Sequence, residues 1–454
     1  MEIPDRDIAR EETIQQIKDN LIKGEYGIAA QLFLDFHTGD QVEIFNVLNE
    51  VEQSKLLSNL DVLATAKLFS HQDDDETLQA AEALSLEKLA DVLDEMEPDE
   101  AADLLGDLPP MLAADAIEQM EESDDVLPLL IYPDETAGGR MTTDFITIQQ
   151  KNTVKEAIDQ LRAHSPYNEV SYYVYVTNEK KKLVGICGLR ELVISPENTS
   201  LKSIMNQEVI HINTWLDQEE VAQVMITYDL SSLPVTNNEN QLVGIITHDD
   251  ILDVVQEEAT EDIYRLANVS DFEIEPNSPV KDQLKGRLPW LFLNTFTALF
   301  ASWIISNFED LIAQFAVLAV FQSVVAGQGG NAASQSVAMF VRAIALGNVP
   351  QGKTTSLLLR QMTVGLFQGL AVGIVVGVGV TLWRGNWYLG LILGLALVGN
   401  LILAGIVGTL APLGLKALGK DPALASSVLV TAVTDSLGFL IFLNLAKTFA
   451  EGLL

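Results

Sequence analysis

The chain has 454 residues, enough for two to four domains, and carries 64 acidic against 27 basic side chains for a formal net charge of −37. That balance excludes a nucleic-acid surface, which needs a positive face, and favours soluble cations as partners. A lone cysteine, Cys187, excludes an intrachain disulfide and a cysteine-rich metal site, and the five histidines are too scattered to share a ligand spacing.

The acidity is uneven. Residues 1–280 carry a net −41 and residues 281–454 a net +4. The opening MEIPDRDIAREE is charged from the start, unlike a secretory signal, which predicts a cytoplasmic amino terminus. Residues 1–136 read as an acidic α-helical domain. Within them VEQSKLLSNL (51), LATAKLFSHQ (63), EKLADVLDEM (87), DEAADLLGDL (99) and MLAADAIEQM (111) align without gaps at a period of 12, and DETLQAAEAL (75) fits loosely. Each block has a small residue at its fourth position and apolar residues at its sixth and seventh. Two helical turns and a bend per repeat predict short stacked helices in a superhelical coil. The polar positions Asp91, Asp94, Glu95, Glu97, Asp99 and Glu100 are expected to point outward.

Residues 137–256 read as a tandem α+β pair. YYVYVTNEKKKLVGICGLREL (172–192) parallels LPVTNNENQLVGIITHDDIL (233–252), each strand, polar turn, strand and helix, and KNTVKEAIDQL (151–161) parallels LDQEEVAQVMITY (216–228). The pair is similar to two CBS modules, 137–200 and 201–256, which commonly sense ligands rather than catalyse. Thr247 and Asp250 match that family's ribose-binding pattern, which makes ATP a candidate ligand. The first module has Gly188 and Glu191 in those places.

DDILDVVQEEATEDIYRLANVS (249–270) is helical in pattern and dense in carboxylates. It leads through EPNSPVKD into the apolar half, so residues 257–280 read as a connecting helix and linker. Residues 281–454 contain five stretches long enough to span a bilayer, near 288–307, 311–346, 361–383, 387–415 and 423–449. Basic residues gather in the first, third and fifth flanks: Lys281, Lys285 and Arg287, then Arg342, Lys353 and Arg360, then Lys416 and Lys420. The positive-inside rule therefore predicts a cytoplasmic amino terminus and an external carboxyl terminus, in the cell (inner) membrane.

GNVPQGKT (347–354) fits the phosphate-loop spacing G-x-x-x-x-G-K-[ST], but it falls between the second and third stretches. A working phosphate loop needs a soluble strand before it and a helix after it, so no nucleotide role is expected there.

One carboxylate lies within the spans away from their ends: Asp435 in ASSVLVTAVTDSLGFLIF. At that depth it should face a water-filled path or a partner. Extended as one helix, Asp421, Leu424, Val428, Thr431 and Asp435 fall on one face, with Ser427 beside it. Carboxylates at two depths suit a cation pathway. GQGGN (327–331) and Gln335 on the second span offer close helix approach or an unwound backbone. A single aspartate per chain is sparse, but a two-fold dimer doubles it, and Mg2+ keeps its waters and accepts few carboxylates.

The order of parts and the motifs GQGGNAASQS, KDPALASSVLVTAVTD and ATEDIYRL resemble the MgtE family of magnesium channels along nearly the whole chain. The resemblance implies a homodimer in membrane lipid, with one pore lined by spans two and five. It also implies Mg2+ as both cargo and regulator, and no enzyme activity. Asp435 matches the pore aspartate, with Thr431, Ser427 and Asn331 expected beside it, and Asp421 matches an inner-gate acid. Asp217, Asp229, Asp250, Asp253, Glu258, Glu261 and Asp262 match the sensor that closes the pore when cytosolic Mg2+ binds. Ser427-Val428 stands where family members often have Asn-Pro, so the order among Mg2+, Mn2+ and Co2+ stays open. Two other readings fit the same residues: a transporter of another divalent cation, proton-coupled through Asp435 or passive, and a membrane-anchored nucleotide-sensing CBS protein.

Overall fold

The 12-residue period emerges directly in the computed structural model. Helices α1 (Ile3–Lys23), α2 (Tyr26–Leu34) and α3 (Thr38–Asn46) are followed by α4 (Glu50–Leu57), α5 (Val62–Phe69), α6 (Asp74–Glu82), α7 (Leu86–Glu95), α8 (Pro98–Asp107) and α9 (Pro110–Gln119), with α10 (Ser123–Val126) closing the series. The starts from α4 to α9 are each 12 residues apart. Caps explain the regular breaks. Asn49 forms a capping box with Glu52, Asp61 and Ser85 accept from backbone N–H groups, and Pro98 and Pro110 open their helices where no N–H is needed. The small and apolar repeat positions (Ala66, Leu68, Phe69; Ala90, Val92, Leu93; Ala102, Leu104, Leu105) are buried, as a stacked coil requires.

The structure describes residues 3–164, 173–270, 274, 276, 278–350, 352–425 and 427–450. Glu275 and Asn277 of the linker, Gln351 of GNVPQGKT, and Ser426 lie outside them. The chain divides into two units, Met1–Val254 and Val255–Leu454.

The first unit continues with two matching sheets. β1 (Thr147–Gln149) pairs in parallel with β2 (Tyr173–Thr177), which pairs antiparallel with β3 (Leu183–Gly188). β4 (Ile212–Asn213), β5 (Ser232–Thr236) and β6 (Leu242–Thr247) repeat the arrangement. Tyr173 opposes Gly188 as Ser232 opposes Thr247, and both hairpins slip at the same place, after Val176 and Val235. Helix α11 (Val154–His164) serves the first sheet with α12 (Leu189–Ile194) and α13 (Leu201–Ile204), and α14 (Gln218–Tyr228) the second. Tyr175 and Ser232 share a 2.7 Å hydroxyl contact, while Tyr175, Leu242 and Ile245 form a small common core. The second module is also continuous with the helical domain: Val221, Met225, Leu233, Ile246, Ile251 and Val254 belong to the same apolar core as Leu89 and Leu104. That shared core carries Asp250 to the foot of α8.

Helix α15 (His248–Leu266) ends within the second unit, ahead of α16 (Val280–Ser306), α17 (Glu309–Gln314), α18 (Val317–Ala345), α19 (Thr354–Arg384), α20 (Trp387–Ala417), a 3₁₀ turn at Pro422–Leu424 and α21 (Ser427–Thr448). Among the described residues four helices are long and apolar enough to cross a membrane: α16, α19, α20 and α21. Helix α18 has 29 residues, but the polar segment GQGGNAASQS interrupts its apolar character. On α19, Gly365, Gly369, Gly373 and Gly377 recur every fourth residue and lie against the backbone of α20 at Leu401, Val398, Gly394 and Gly390. Any side chain there would collide with the neighbouring helix, so this pair packs backbone to backbone.

Candidate cation sites

The carboxylates the sequence singles out fall into three places. In the second unit, α21 carries Asp435, half-buried, one turn beyond Thr431. Thr431 gives its hydroxyl to the Ser427 and Val428 carbonyls at 2.6 and 3.1 Å, and its methyl fills the space where a side chain at Gly330 would stand. This glycine lets α18 and α21 touch beside the exposed Asn331.

The second place is the approach to α21. The sequence reading ran one helix from Asp421 to Asp435; the structure corrects it, because the α-helix begins only at Ser427. Pro422 cannot supply the N–H that a helix interior needs, so the DPA motif forms a 3₁₀ turn, with Asp421 capping it at 2.8 Å to the Ala423 N–H. Asp421 and Leu424 therefore do not share the helical face of Thr431 and Asp435. Asp421 instead meets α15. The Arg265 guanidinium pairs with Asp421 and with Glu261 one turn back, and Asn268 donates to the Ser427 hydroxyl at 2.8 Å. Glu258, Glu261, Asp262 and Arg265 recur at helical spacing on α15. Burial pushes Asp262 up to about 6, and the charges of Asp421 and Glu258 push the same way against Arg342.

The third place is in the first unit. Asp250 accepts from the Thr247 N–H at 3.1 Å and its hydroxyl at 2.5 Å, so the candidate ribose-binding pair is bonded to itself. Asp250 lies within electrostatic reach of Asp99 and Glu100 on α8. Asp99 was expected to point outward but is 6 % exposed, within electrostatic reach of Asp250 in the second module. Burial, then Asp250, Glu97 and Glu100, hold Asp99 well above the carboxylate range, and one of its oxygens has no hydrogen-bond partner among the described residues. Burial likewise lifts Glu100 to about 8, against a hydrogen bond from Ser70, and Asp103 to about 7, against the Arg140 charge. Asp94, half-exposed, accepts at the surface from the Glu121 and Glu122 N–H groups at 2.9 and 3.0 Å.

Of the remaining sensor candidates, Asp253 lies close enough for its charge to act on Asp250. Asp217 caps the start of α14, Asp229 ends it with a left-handed backbone (φ 52°), and Asp253 is exposed on α15. In the first module Glu191 occupies the space beside Gly188. Among the described residues no three His, Cys, Asp or Glu side chains converge as a ready metal cage. The donor sets nevertheless fit Mg2+: oxygen only, few per site, mutually repelling, and in Asp99 holding a buried oxygen without a partner, suited to an ion that keeps several waters. Sequence reasoning missed Asp99, Glu100 and Arg265. Arg265 stood within the quoted ATEDIYRL motif, where only its acids were considered.

Family models match the chain in the same order: the MgtE intracellular N domain over residues 36–135, CBS domains over 137–196 and 201–257, and the MgtE divalent cation transporter domain over 322–445. The magnesium transporter MgtE of Thermus thermophilus is 32% identical over 449 residues, 96% of this chain and 98% of that one. The chain belongs to the MgtE family. The Enterococcus faecalis magnesium transporter MgtE is 38% identical over 329 residues, 72% of each chain. Two solved soluble structures also align. The soluble part of a magnesium transporter matches at TM-score 0.50 and 33% identity, over 55% of this chain and 99% of that one. The cytosolic domain of the Mg2+ channel MgtE in complex with ATP matches at TM-score 0.51 and 30% identity, over 53% and 99%. As an MgtE chain the protein is a membrane transporter with a soluble amino-terminal part and several apolar helices, and not an enzyme.

Proposed function

We propose that the chain is a magnesium channel of the cell membrane, working as a homodimer, opened by low and closed by high cytosolic Mg2+. The full-length relatives named as magnesium transporters support Mg2+ as the cargo. The observation that carries the reading is Asp435, among the described residues the one carboxylate set within the length of an otherwise apolar helix, half-buried beside the close contact of α18 with α21. Two-fold pairing would present two such carboxylates to one hydrated ion. In this reading α16, α18, α19, α20 and α21 cross the bilayer, with the basic flanks inside and the carboxyl terminus outside. Residues 1–136, 137–200, 201–256, 257–280 and 281–454 act as the sensor's helical domain, its two modules, the connecting helix and the conducting domain.

Closure is a linkage effect. Carboxylates crowded without a cation repel one another, and a divalent ion bridging them favours the compact arrangement. Asp250 with Asp99 and Glu100, and Glu258, Glu261 and Asp262 with Asp421, supply two such groups, and Asp217, Asp229 and Asp253 add outlying ligands. Flow needs no hydrolysis, because a potential of 100 mV contributes about 2.3 kcal/mol per elementary charge. ATP is a second ligand, at Thr247 and Asp250; the ATP complex of a relative's cytosolic domain supports it, and binding must break the internal Thr247–Asp250 bond.

The test is Mg2+ flux into liposomes with competing divalent ions. Asp435→Ala is expected to cut uptake at least about tenfold while the protein stays assembled. Unchanged flux would refute the pore assignment. Slow, saturable, pH-coupled flux of Mn2+ or Co2+ in its place would favour a carrier, and nucleotide binding without flux a membrane-anchored sensor.

A further inference from the structure

Helix α20 is the most apolar of the crossing helices, yet it buries an amide near its middle. Asn400 lies 13 residues into a helix of 31 and is 0 % exposed. Its Nδ2 donates to the Val325 carbonyl on α18 at 2.8 Å. That oxygen has a second lone pair beyond the one used by its own helix. The carboxamide also occupies the space a side chain would need at Gly329 on α18 and at Gly438 on α21. One side chain thus touches two helices at the only residue type that admits it.

Stability does not explain this choice. A leucine of similar volume would fill the same space without burying a polar group, and the Oδ1 of Asn400 has no partner among the described residues. What asparagine alone supplies is direction: a bond that fixes where α18 sits along α20, while the amide itself sets how near α21 comes. Such buried polar contacts trade stability for register. Gly329 is two residues from Asn331, and Gly438 is one turn from Asp435.

We infer that Asn400 is a positioning residue for the cation path: its carboxamide sets the spacing and axial register of α18 and α21, and through them the separation of Asn331 from Asp435 on which discrimination among divalent ions depends. The inference rests on the proposed pore. It acts at a distance from the ion, through helix placement, because Asn400 itself is sealed from any path.

The experiment measures flux of Mg2+ and Co2+ in liposomes for the full chain and for Asn400→Leu. Half-saturating Mg2+ is expected to rise and the preference for Mg2+ over Co2+ to fall, by about tenfold, less than the roughly hundredfold that a 1 Å misplacement can cost a reaction. Gly438→Ala, which collides with the amide, is expected to do the same and to be relieved by Asn400→Ala. Where Asn400→Leu does not assemble, Asn400→Ser is read in the same way. An equal loss of flux for both ions with half-saturation unchanged would make Asn400 merely structural and overturn the inference, as would a Leu variant indistinguishable from the wild type. A second readout needs no transport. With Cys187→Ser, spin labels at Met339→Cys on α18 and Leu437→Cys on α21, diluted with unlabelled protein, should give a distance distribution that shifts with Asn400→Leu. Superimposable distributions would sink the inference even where flux differs, and a clear shift in a protein that moves no Mg2+ would uphold the helix placement while the pore reading fails.

Discussion

Asp99 shows how one residue changes meaning with its neighbours. The first position of each 12-residue block is normally open to water: Val51 is 62% exposed, Leu63 47% and Met111 81%. Asp99 holds that same position at 6 %. A carboxylate removed from water beside Asp250, Glu97 and Glu100 favours its protonated form. The same holds for Glu100, at about 8 against an ordinary 4.5, and for Asp103, at about 7 against 3.8. Each acid therefore binds its proton more tightly folded than unfolded. Their contribution to stability is fully present below the ordinary carboxylate range and is lost as pH rises through about 7 to 8. The full chain in detergent, freed of divalent ions, should unfold at falling temperature between about pH 4 and pH 8 and level off above that, and millimolar Mg2+ should flatten the fall. A melting profile level across this window, or one that Mg2+ leaves alone, would count against a carboxylate sensor at α8.

At the scale of elements, the end of α15 is tied to the start of α21 by Arg265 with Asp421 and by Asn268 with Ser427. Arg265 is a cation supplied by the chain itself to a carboxylate proposed to meet the cargo. Its pairing with Glu261 as well keeps the guanidinium on its own helix, so the acid of the 3₁₀ turn is drawn to α15. Both partners remain about 30% exposed, so screening limits the pair to about 1 kcal/mol. Arg265→Gln should accordingly loosen closure and raise the internal Mg2+ needed for half-closure roughly fivefold. Patch recordings against internal Mg2+ would show it, and an unshifted closing curve would make the ion pair incidental. The short DPA turn matters for the same reason. Had the helix run on to Asp421, the carboxylate would stay in line with Asp435; the 3₁₀ turn instead hands it to α15.

For the whole molecule, the proposed closure requires the soluble acids and Asp435 to act as one system. Mg2+ bound by acids along the cytosolic part can only shift the gate by its preference for the closed over the open arrangement. Removing charge from two groups at once should therefore leave a channel that conducts but does not close. Asp250→Asn together with Glu258→Gln is expected to raise the closing concentration at least about tenfold, with conductance at low internal Mg2+ preserved. Normal closure in that double variant would defeat the sensor assignment without touching the pore.

Sequence alone was enough for whatever repeats or is segregated by polarity. The 12-residue helices follow from caps and prolines at fixed intervals, the twin sheets from hairpins 59 residues apart, and four of the five expected spans from apolar length, because each is set by local chemistry within a few turns of chain. Asp435 was legible for the same reason, as a charge standing out against an apolar run. Burial of Asp99, capture of Asp421 by Arg265 and the wedge of Asn400 between Gly329 and Gly438 were not. Each depends on segments about 40 to 160 residues apart in the chain, brought together by packing whose geometry no local pattern encodes.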